Sequence, residues 1–448
     1  MVGRLSKAKR MGPGQGGEMA FAPSGPLTGS ARVPGDKSIS HRALMLASLA
    51  VGRSRIDGLS DGNDVESTIS ALRAMGVRIE TGPDGGWMID GVGVGGLLQP
   101  ERALDLANSG TSARLLMGLV ASHPIRAVFT GDSSLSRRPM DRVAEPLRRI
   151  GARIETAPGG RLPLLVQGLA PALARRHRLE IPSAQVKSAL LLAGLNAPGI
   201  TELVETAPTR DHLERMLELF GACIERHEDL ILLRGEPQLR PQTLNIPGDF
   251  SAAAFLAVAA LVVPGSEIRI EGVGINPLRI GLCEVLAEMG ADIAFEARRE
   301  LSGEPVADMI VRHSGLRACA VPPEIAPRMI DEYPILFVAA AFADGVTPAG
   351  GLAELRVKES DRIAAMAEGL RAVGVGVEES EDGLSIQGSG GGPLPGGATI
   401  AARRDHRVAM SFAVAGLHSS EPIGIDDMSM IATSFPGFVT VLERLTAR

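Results

Sequence analysis

Leu147-Arg148-Arg149-Ile150-Gly151-Ala152-Arg153-Ile154 reads as the end of a helix, a glycine stop and the start of a strand. The same pattern recurs at Leu72, Gly76 and Ile79, at Leu217, Gly221 and Ile224, at Leu286, Gly290 and Ile293, and at Leu370, Gly374 and Val377. A sixth helix of the same character follows Pro436 and runs to the chain end. Recurrence at this scale marks a chain built from one repeated unit. Each glycine suits a helix C-cap, because a residue without Cβ enters the left-handed region at little cost. The chain therefore reads as about six copies of one small α/β unit.

The residues that open these helices carry the chemistry. They include Asn63-Asp64, Arg138-Pro139, Thr209-Arg210-Asp211, Asn276-Pro277, Lys358-Glu359-Ser360-Asp361 and Ser434-Phe435-Pro436. Helix N-termini attract anions through their free N–H groups and the macrodipole. Several such ends carrying Arg and Lys suit a multiply charged anionic ligand.

At 448 residues the chain exceeds one ordinary core, so two domains are expected. Apolar residues make up 45% of it, which excludes wholesale disorder. Aromatics at 3% argue against stacking platforms for single strands, and a net charge of −6 argues against a general polyanion binder. Cys223, Cys283 and Cys319 are widely spaced and read as reduced core thiols of a cytoplasmic protein. No apolar stretch has transmembrane length, and no membrane partner is expected.

A longer-range repeat pairs Val33-Pro34-Gly35-Asp36-Lys37-Ser38 with Ile246-Pro247-Gly248-Asp249-Phe250-Ser251, each followed by an apolar helical run. Pro-Gly signals a turn, and Asp suits a helix start. These segments mark where the chain leaves one domain and returns. The division expected is a flexible tail over 1–27, a discontinuous domain of 28–34 with 246–448, and a second domain of 35–245. Each domain then holds three units.

Gly91, Gly93 and Gly96 match a dinucleotide fingerprint in form only, since Leu97-Leu98-Gln99-Pro100 breaks any following helix. They read as a hairpin turn. The pair Asp211-His212 reads as a surface or capping pair. Lysine occurs only at positions 7, 9, 37, 187 and 358 among many arginines. A retained Lys suggests that a compact ammonium is needed, above all at Lys37 and Lys358. Read singly, each charged cluster is an ordinary helix cap or a solvated ion pair. Together they offer Arg forks for phosphate and carboxylate, and carboxylates beside apolar residues for proton transfer.

The runs Val33 to Arg42 (VPGDKSISHR) and Leu355 to Arg362 (LRVKESDR) resemble the 5-enolpyruvylshikimate-3-phosphate synthase family. The resemblance extends from about Gly29 to Leu445. Segments around Ser183-Ala184-Gln185, Asp331-Glu332-Tyr333-Pro334 and Ser434-Phe435-Pro436 look like its glyphosate-insensitive, class II branch. The resemblance implies an α/β fold of two similar domains, each of three βαβαββ units, an inverse α/β barrel joined by a double crossover. It implies transfer of the enolpyruvyl group of phosphoenolpyruvate to the 5-hydroxyl of shikimate 3-phosphate, through a tetrahedral intermediate. It implies no metal, no cofactor, no nucleic-acid partner and a monomer, with glyphosate as an inhibitor.

By the same resemblance Lys37, Ser38, Arg42, Ser183, Ala184, Gln185, Arg210, Asp331 and Lys358 hold shikimate 3-phosphate. Lys37, Gly110, Arg138, Gln185, Arg362 and Arg407 hold phosphoenolpyruvate. Asp331 is the implied base for the 5-hydroxyl, Glu359 moves the proton at the methylene, and Lys37 serves as acid on the leaving phosphate. Gly110 lies against the phosphoenolpyruvate pocket, where some resistant relatives carry Ala. Many relatives read Lys-Thr-Phe-Pro where this chain has Thr433-Ser434-Phe435-Pro436, so one cationic contact is missing or supplied by an Arg. The alternatives are a sister transferase acting on UDP-N-acetylglucosamine and a non-catalytic phosphometabolite-binding protein. The sister enzyme expects Lys-Asn in place of Lys37-Ser38 and usually carries a Cys or Asp in a mobile loop of the first domain, whereas no Cys precedes Cys223 here.

Overall fold

A computed structural model describes residues 17–446. The repeated unit is seen whole between residues 104 and 167. Its order is strand Leu104–Asp105, helix, strand Arg126–Thr130, helix, then the hairpin Arg153–Ala157 and Arg161–Gln167. The first two strands run parallel, and the hairpin's last strand inserts antiparallel between its partner and the second strand. Six such sheets of three or four strands are found among the described residues, and none closes into a barrel. The five repeat glycines 76, 151, 221, 290 and 374 all have positive φ, between 87° and 104°, as the C-cap reading requires.

The first half contributes α1 (Lys37–Leu49), α2 (Asn63–Ala74), α3 (Gly110–Ala121), α4 (Asp141–Arg149), α5 (Ala184–Gly194) and α6 (His212–Leu219). The second contributes α7 (Phe250–Val262), α8 (Gly281–Glu288), α9 (Ala326–Met329), α10 (Tyr333–Phe342), α11 (Arg362–Ala372), α12 (His406–Gly416) and α13 (Phe438–Thr446). Every residue of α7, α10 and α12 is buried, as is almost every residue of α1, α3 and α5. A helix apolar all round belongs inside a core. These six helices are therefore central, and the sheets lie outside them. Two cores result: one from Ile39 to Ile246, the other from Phe21, Leu27 and Ala31 together with Phe250 to Leu445.

The two lobes exchange strands where the chain crosses between them. Strand Thr28–Arg32 pairs in parallel with Glu267–Gly274 and so completes the α7 unit. Strand Thr243–Asn245 pairs in parallel with Val51–Asp57 and completes the α1 unit. The matched Pro-Gly-Asp turns meet at the crossing, where the Asp36 amide donates to the Pro247 carbonyl at 2.7 Å and the Asp249 amide to that of Pro34 at 2.8 Å. A Cβ on Gly35 would stand 1.9 Å from the Gly58 carbonyl oxygen, so only glycine fits there. Asp36 and Asp249 then cap α1 and α7, accepting from Ile39 N at 2.9 Å and Ser251 N at 2.6 Å.

Three expectations need correction. Residues 1–16 of the expected tail lie outside the described residues, but 17–27 are built into the second lobe. Met19–Phe21 pairs antiparallel with Ile423–Ile425 and gives the last unit the strand it lacks, while Leu27 is wholly buried. Gly93 and Gly96 do form a turn, with the Gly96 amide donating to the Gly93 carbonyl, but the chain leaves the sheet there instead of making a hairpin. All three cysteines are free, yet Cys223 is exposed and the other two half-buried, so they are not core thiols. No helix among the described residues is long and apolar enough to cross a membrane.

Phe21 packs on α12 at Gly416. Phe21→Ala is therefore expected to destabilise the second lobe by about 3 kcal/mol. Thermal or urea unfolding would measure this; a change under about 0.5 kcal/mol, typical of an exposed position, would contradict the strand's role.

Candidate active site

The inner helices start at one place. The first turns of α1, α3, α5, α7 and α12, and the residues just before α10, line two connected chambers between the lobes. Their empty volumes are about 730 and about 1120 Å³, and they share Ser38, Thr111, Gln185, Arg210, Asp331 and Lys358. Helix N-termini converging on one cavity favour negative charge in it.

Both lobes supply cations. From the first come Lys37, Arg42, Arg114, Arg138, Arg142 and Arg210; from the second, Lys358 and Arg407. The Lys37 ammonium lies 2.9 Å from Asp64 at the start of α2. Arg42 donates to the Ser38 carbonyl at 2.8 Å and, through Nη2, to the Ser188 hydroxyl at 2.8 Å. Arg138 donates to the Asn108 side chain at 2.7 Å. Arg114 donates to the Gln185 amide oxygen at 2.9 Å, and Gln185 donates to the Thr111 hydroxyl at 3.1 Å. Burial, reinforced by Arg142 and Arg138, holds the Arg114 guanidinium down to about 9. A bound anion would relieve that repulsion.

Two carboxylates face this field. Asp331 Oδ2 accepts from Arg210 of the other lobe at 2.8 Å, with Lys358 at 3.6 Å and Arg362 at 3.5 Å from Oδ1. Burial opposes its charge, but Lys358, Arg407, Arg210 and Arg362 outweigh burial and hold its pKa well below the usual carboxylate range. Glu359 accepts from Arg362 at 2.5 Å and lies 3.5 Å from Arg138 across the cleft. Its pKa is likewise well below the ordinary value: burial resists, while Arg362 and Arg138 prevail. His406 lines the same chamber, and burial, then Lys37 and Arg407, push its pKa well below that of a free imidazole.

Fixed groups sit behind the exposed charges. Arg407 donates to the Asp331 carbonyl at 2.9 Å and to the Ser251 hydroxyl at 3.1 Å, and Ser251 donates to Glu332 at 2.5 Å. Arg279 donates to the other Glu332 oxygen at 2.6 Å. Arg362 donates to Asp405 at 2.9 Å, and both side chains are buried.

All but one of the residues assigned from the sequence to substrate binding or catalysis line these chambers. The exception is Arg362, which is wholly buried and engaged by Asp405, Glu359 and Asp331, so it reaches the cavity only through those carboxylates. Ser183 and Ala184 line the larger chamber beside Gln185, Arg42 and Arg210. Thr433 lines neither chamber; its hydroxyl donates to the Met430 carbonyl at 2.7 Å and its backbone abuts Gly62. Asp211-His212 is no surface pair. His212 is buried against Glu304 of the other lobe at 2.7 Å, and Asn276 donates to both Asp211 and Glu304 at 2.7 and 3.1 Å. Sequence reasoning assigned no role to Arg114 or Arg142. Arg114 stands one helical turn after Gly110 on α3, and that spacing was the available signal; Arg142, in the first turn of α4 after the extended Arg138, carried none.

The sequence matches the family described as EPSP synthase (3-phosphoshikimate 1-carboxyvinyltransferase) over residues 21–442. It is 59% identical over 435 residues to a 3-phosphoshikimate 1-carboxyvinyltransferase of Sphingopyxis alaskensis, covering 95% of this chain and 98% of that one. It is 56% identical over 434 residues to the protein of the same name from Novosphingobium aromaticivorans, covering 95% and 98%. The solved EPSP synthase of Acinetobacter baumannii superposes with a TM-score of 0.85 at 43% identity, covering 96% of this chain and 98% of that one. The enolpyruvyl transferase NikO from Streptomyces tendae, at 18% identity and a TM-score of 0.75, shares the fold. Likeness of this degree over almost the whole length means that the chain belongs to the EPSP synthase family.

Proposed function

We propose that this cleft joins phosphoenolpyruvate to the 5-hydroxyl of shikimate 3-phosphate by the division of labour set out here. The observation that carries the reading is a cavity ringed by cations from both lobes with two ionised carboxylates, Asp331 and Glu359, inside it. Each substrate carries a phosphate and a carboxylate, so bringing them together means overcoming strong repulsion. Fixed cations in a dry site offset it far better than water does.

Shikimate 3-phosphate takes the larger chamber, its phosphate on Arg42, Arg210 and Lys358 and its ring polar groups on Ser183 and Gln185. Phosphoenolpyruvate takes the smaller one, with Lys37, Arg138 and Arg407 on its anionic groups and its end against Gly110. Asp331 accepts the 5-hydroxyl proton as the oxygen attacks C2, while Glu359, which takes up a proton from solvent as the bound anions raise its pKa, delivers that proton to the methylene. The resulting tetrahedral centre then loses phosphate, with Lys37 protonating the leaving oxygen and Glu359 taking back the methyl proton. In the free protein both carboxylates are weak bases. Substrate phosphates that draw Arg210, Lys358 and Arg138 toward themselves raise their basicity at the moment of need. Arg142 and Glu354, 2.8 Å apart, join the lobes beside the cleft, and such contacts favour the closed site that the reaction needs.

The test is phosphate release by the purified protein with both substrates and with each omitted. Release should require both and should yield an enolpyruvyl product of matching mass; release with UDP-N-acetylglucosamine instead would favour the sister chemistry. Asp331→Asn and Lys37→Met should each lower turnover by about 10²–10⁴-fold. Near-normal turnover in either would remove that residue from the mechanism.

Gly110 yields a further expectation. A Cβ there would stand 3.0 Å from Arg138 Nη1 and 3.1 Å from Arg114 Nη1, so a methyl group crowds the phosphoenolpyruvate end of the cavity. Gly110→Ala should therefore raise the inhibition constant for glyphosate, the longer molecule, by more than it raises KM for phosphoenolpyruvate. Unchanged inhibition would refute the steric account.

A further inference from the structure

Two of the lysines in this Arg-rich chain line the cavity, and Lys187 does not. Its side chain is only 1% exposed. The ammonium lies 2.6 Å from Glu214 on α6 and donates at 3.1 Å both to Glu205 and to the Thr209 carbonyl. The ammonium thus donates two hydrogen bonds and pairs as a compact charge with the Glu214 carboxylate. Glu205 closes the loop by accepting from the Thr209 amide at 3.2 Å and the Thr209 hydroxyl at 2.6 Å. The next residue is Arg210, whose guanidinium crosses the cleft to Asp331.

The neighbouring position on α5 works in parallel. The Ser188 hydroxyl accepts from Arg42 Nε at 3.2 Å and Nη2 at 2.8 Å. Consecutive residues of one buried helix thus hold the two arginines of the larger chamber from behind. Burial lowers the Arg42 pKa to about 10, and Glu214 is the foremost charge opposing that shift. Burial raises the Glu214 pKa, and Lys187 is the main charge opposing that rise.

We propose that Lys187 is a positioning residue for the shikimate 3-phosphate half of the site: through Glu205 and Thr209 it fixes the loop that aims Arg210 into the cleft. The inference rests on the reading that Arg210 binds that substrate. A lysine serving stability alone would affect both substrates equally, or neither.

The experiment is a double-mutant cycle on the full chain with Lys187→Met, Arg210→Ala and both together. It is read by KM for each substrate and by calorimetric binding of shikimate 3-phosphate. Lys187→Met should weaken shikimate 3-phosphate by about tenfold while leaving KM for phosphoenolpyruvate within about twofold, and the double variant should be no worse than Arg210→Ala alone. Should Lys187→Met fail to fold, Thr209→Val removes only the hydroxyl bond to Glu205 and should give the same pattern at smaller size. Additive losses, or equal losses for both substrates, would overturn the proposal. A normal Lys187→Met beside a defective Arg210→Ala would overturn it alone, whereas a normal Arg210→Ala would bring down the site reading beneath it as well.

Discussion

A guanidinium cannot be taken out of water without a partner, and this cleft holds many. Stripping one member from a buried pair typically costs about 3–5 kcal/mol, because the other charge is left uncompensated. Most cations that reach the cavity are accordingly backed by a fixed group. Lys37 has Asp64, Arg407 has Ser251 and Glu332, Arg42 has Ser188, and Arg210 has the loop that Lys187 and Glu205 hold. Arg362 goes further, since Asp405, Glu359 and Asp331 surround it and it acts as counter-charge to the two carboxylates. Such clamps fix the cations before any substrate arrives, and preorganised charge is what an electrostatic catalyst needs.

The architecture supplies the geometry for this arrangement. Six apolar helices occupy the centres of the two lobes, so their N-termini, and not their sides, face the cleft. Polar residues then collect at the first turn, where caps and free N–H groups are tolerated, while the rest of each helix packs as core. The site is also divided. Arg210 with Asp331, Arg138 with Glu359 and Arg142 with Glu354 each join one lobe to the other, and the Ser134 hydroxyl donates to the Glu359 carbonyl at 3.1 Å. Neither lobe alone presents both carboxylates in their cationic setting. On the crossover side the buried group of Asp211, His212, Asn276 and Glu304 ties the lobes by hydrogen bonds.

Much of this was written locally. The glycine caps, the helix starts and the paired Pro-Gly-Asp turns are short-range signals, because a cap or a turn is decided within about four residues. What escaped was whatever depends on a distant partner. Met19–Phe21 looks like tail because three residues carry too little pattern to be read as a strand, and only the open edge of Ile423–Ile425 gives them a place. Cys223 looks like core by its chemistry and is exposed by its position after the α6 cap. Lys187 stood out in the sequence only as a lysine among arginines, and its partners Glu205, Thr209 and Glu214 follow it by 18 to 27 residues.

The sequence by itself determined the repeated α/β unit, its inner apolar helices and the residue types set at their starts. Each of these follows from hydrogen-bond spacing and apolar periodicity along a few turns of chain. Only the tertiary structure decided which charges meet. Arg210 and Asp331 are separated by 121 residues, and they lie 2.8 Å apart only because two lobes fold around their own cores and are joined by crossing strands. Distance through space between such groups is the sum of every intervening unit's geometry, and no local pattern carries that sum.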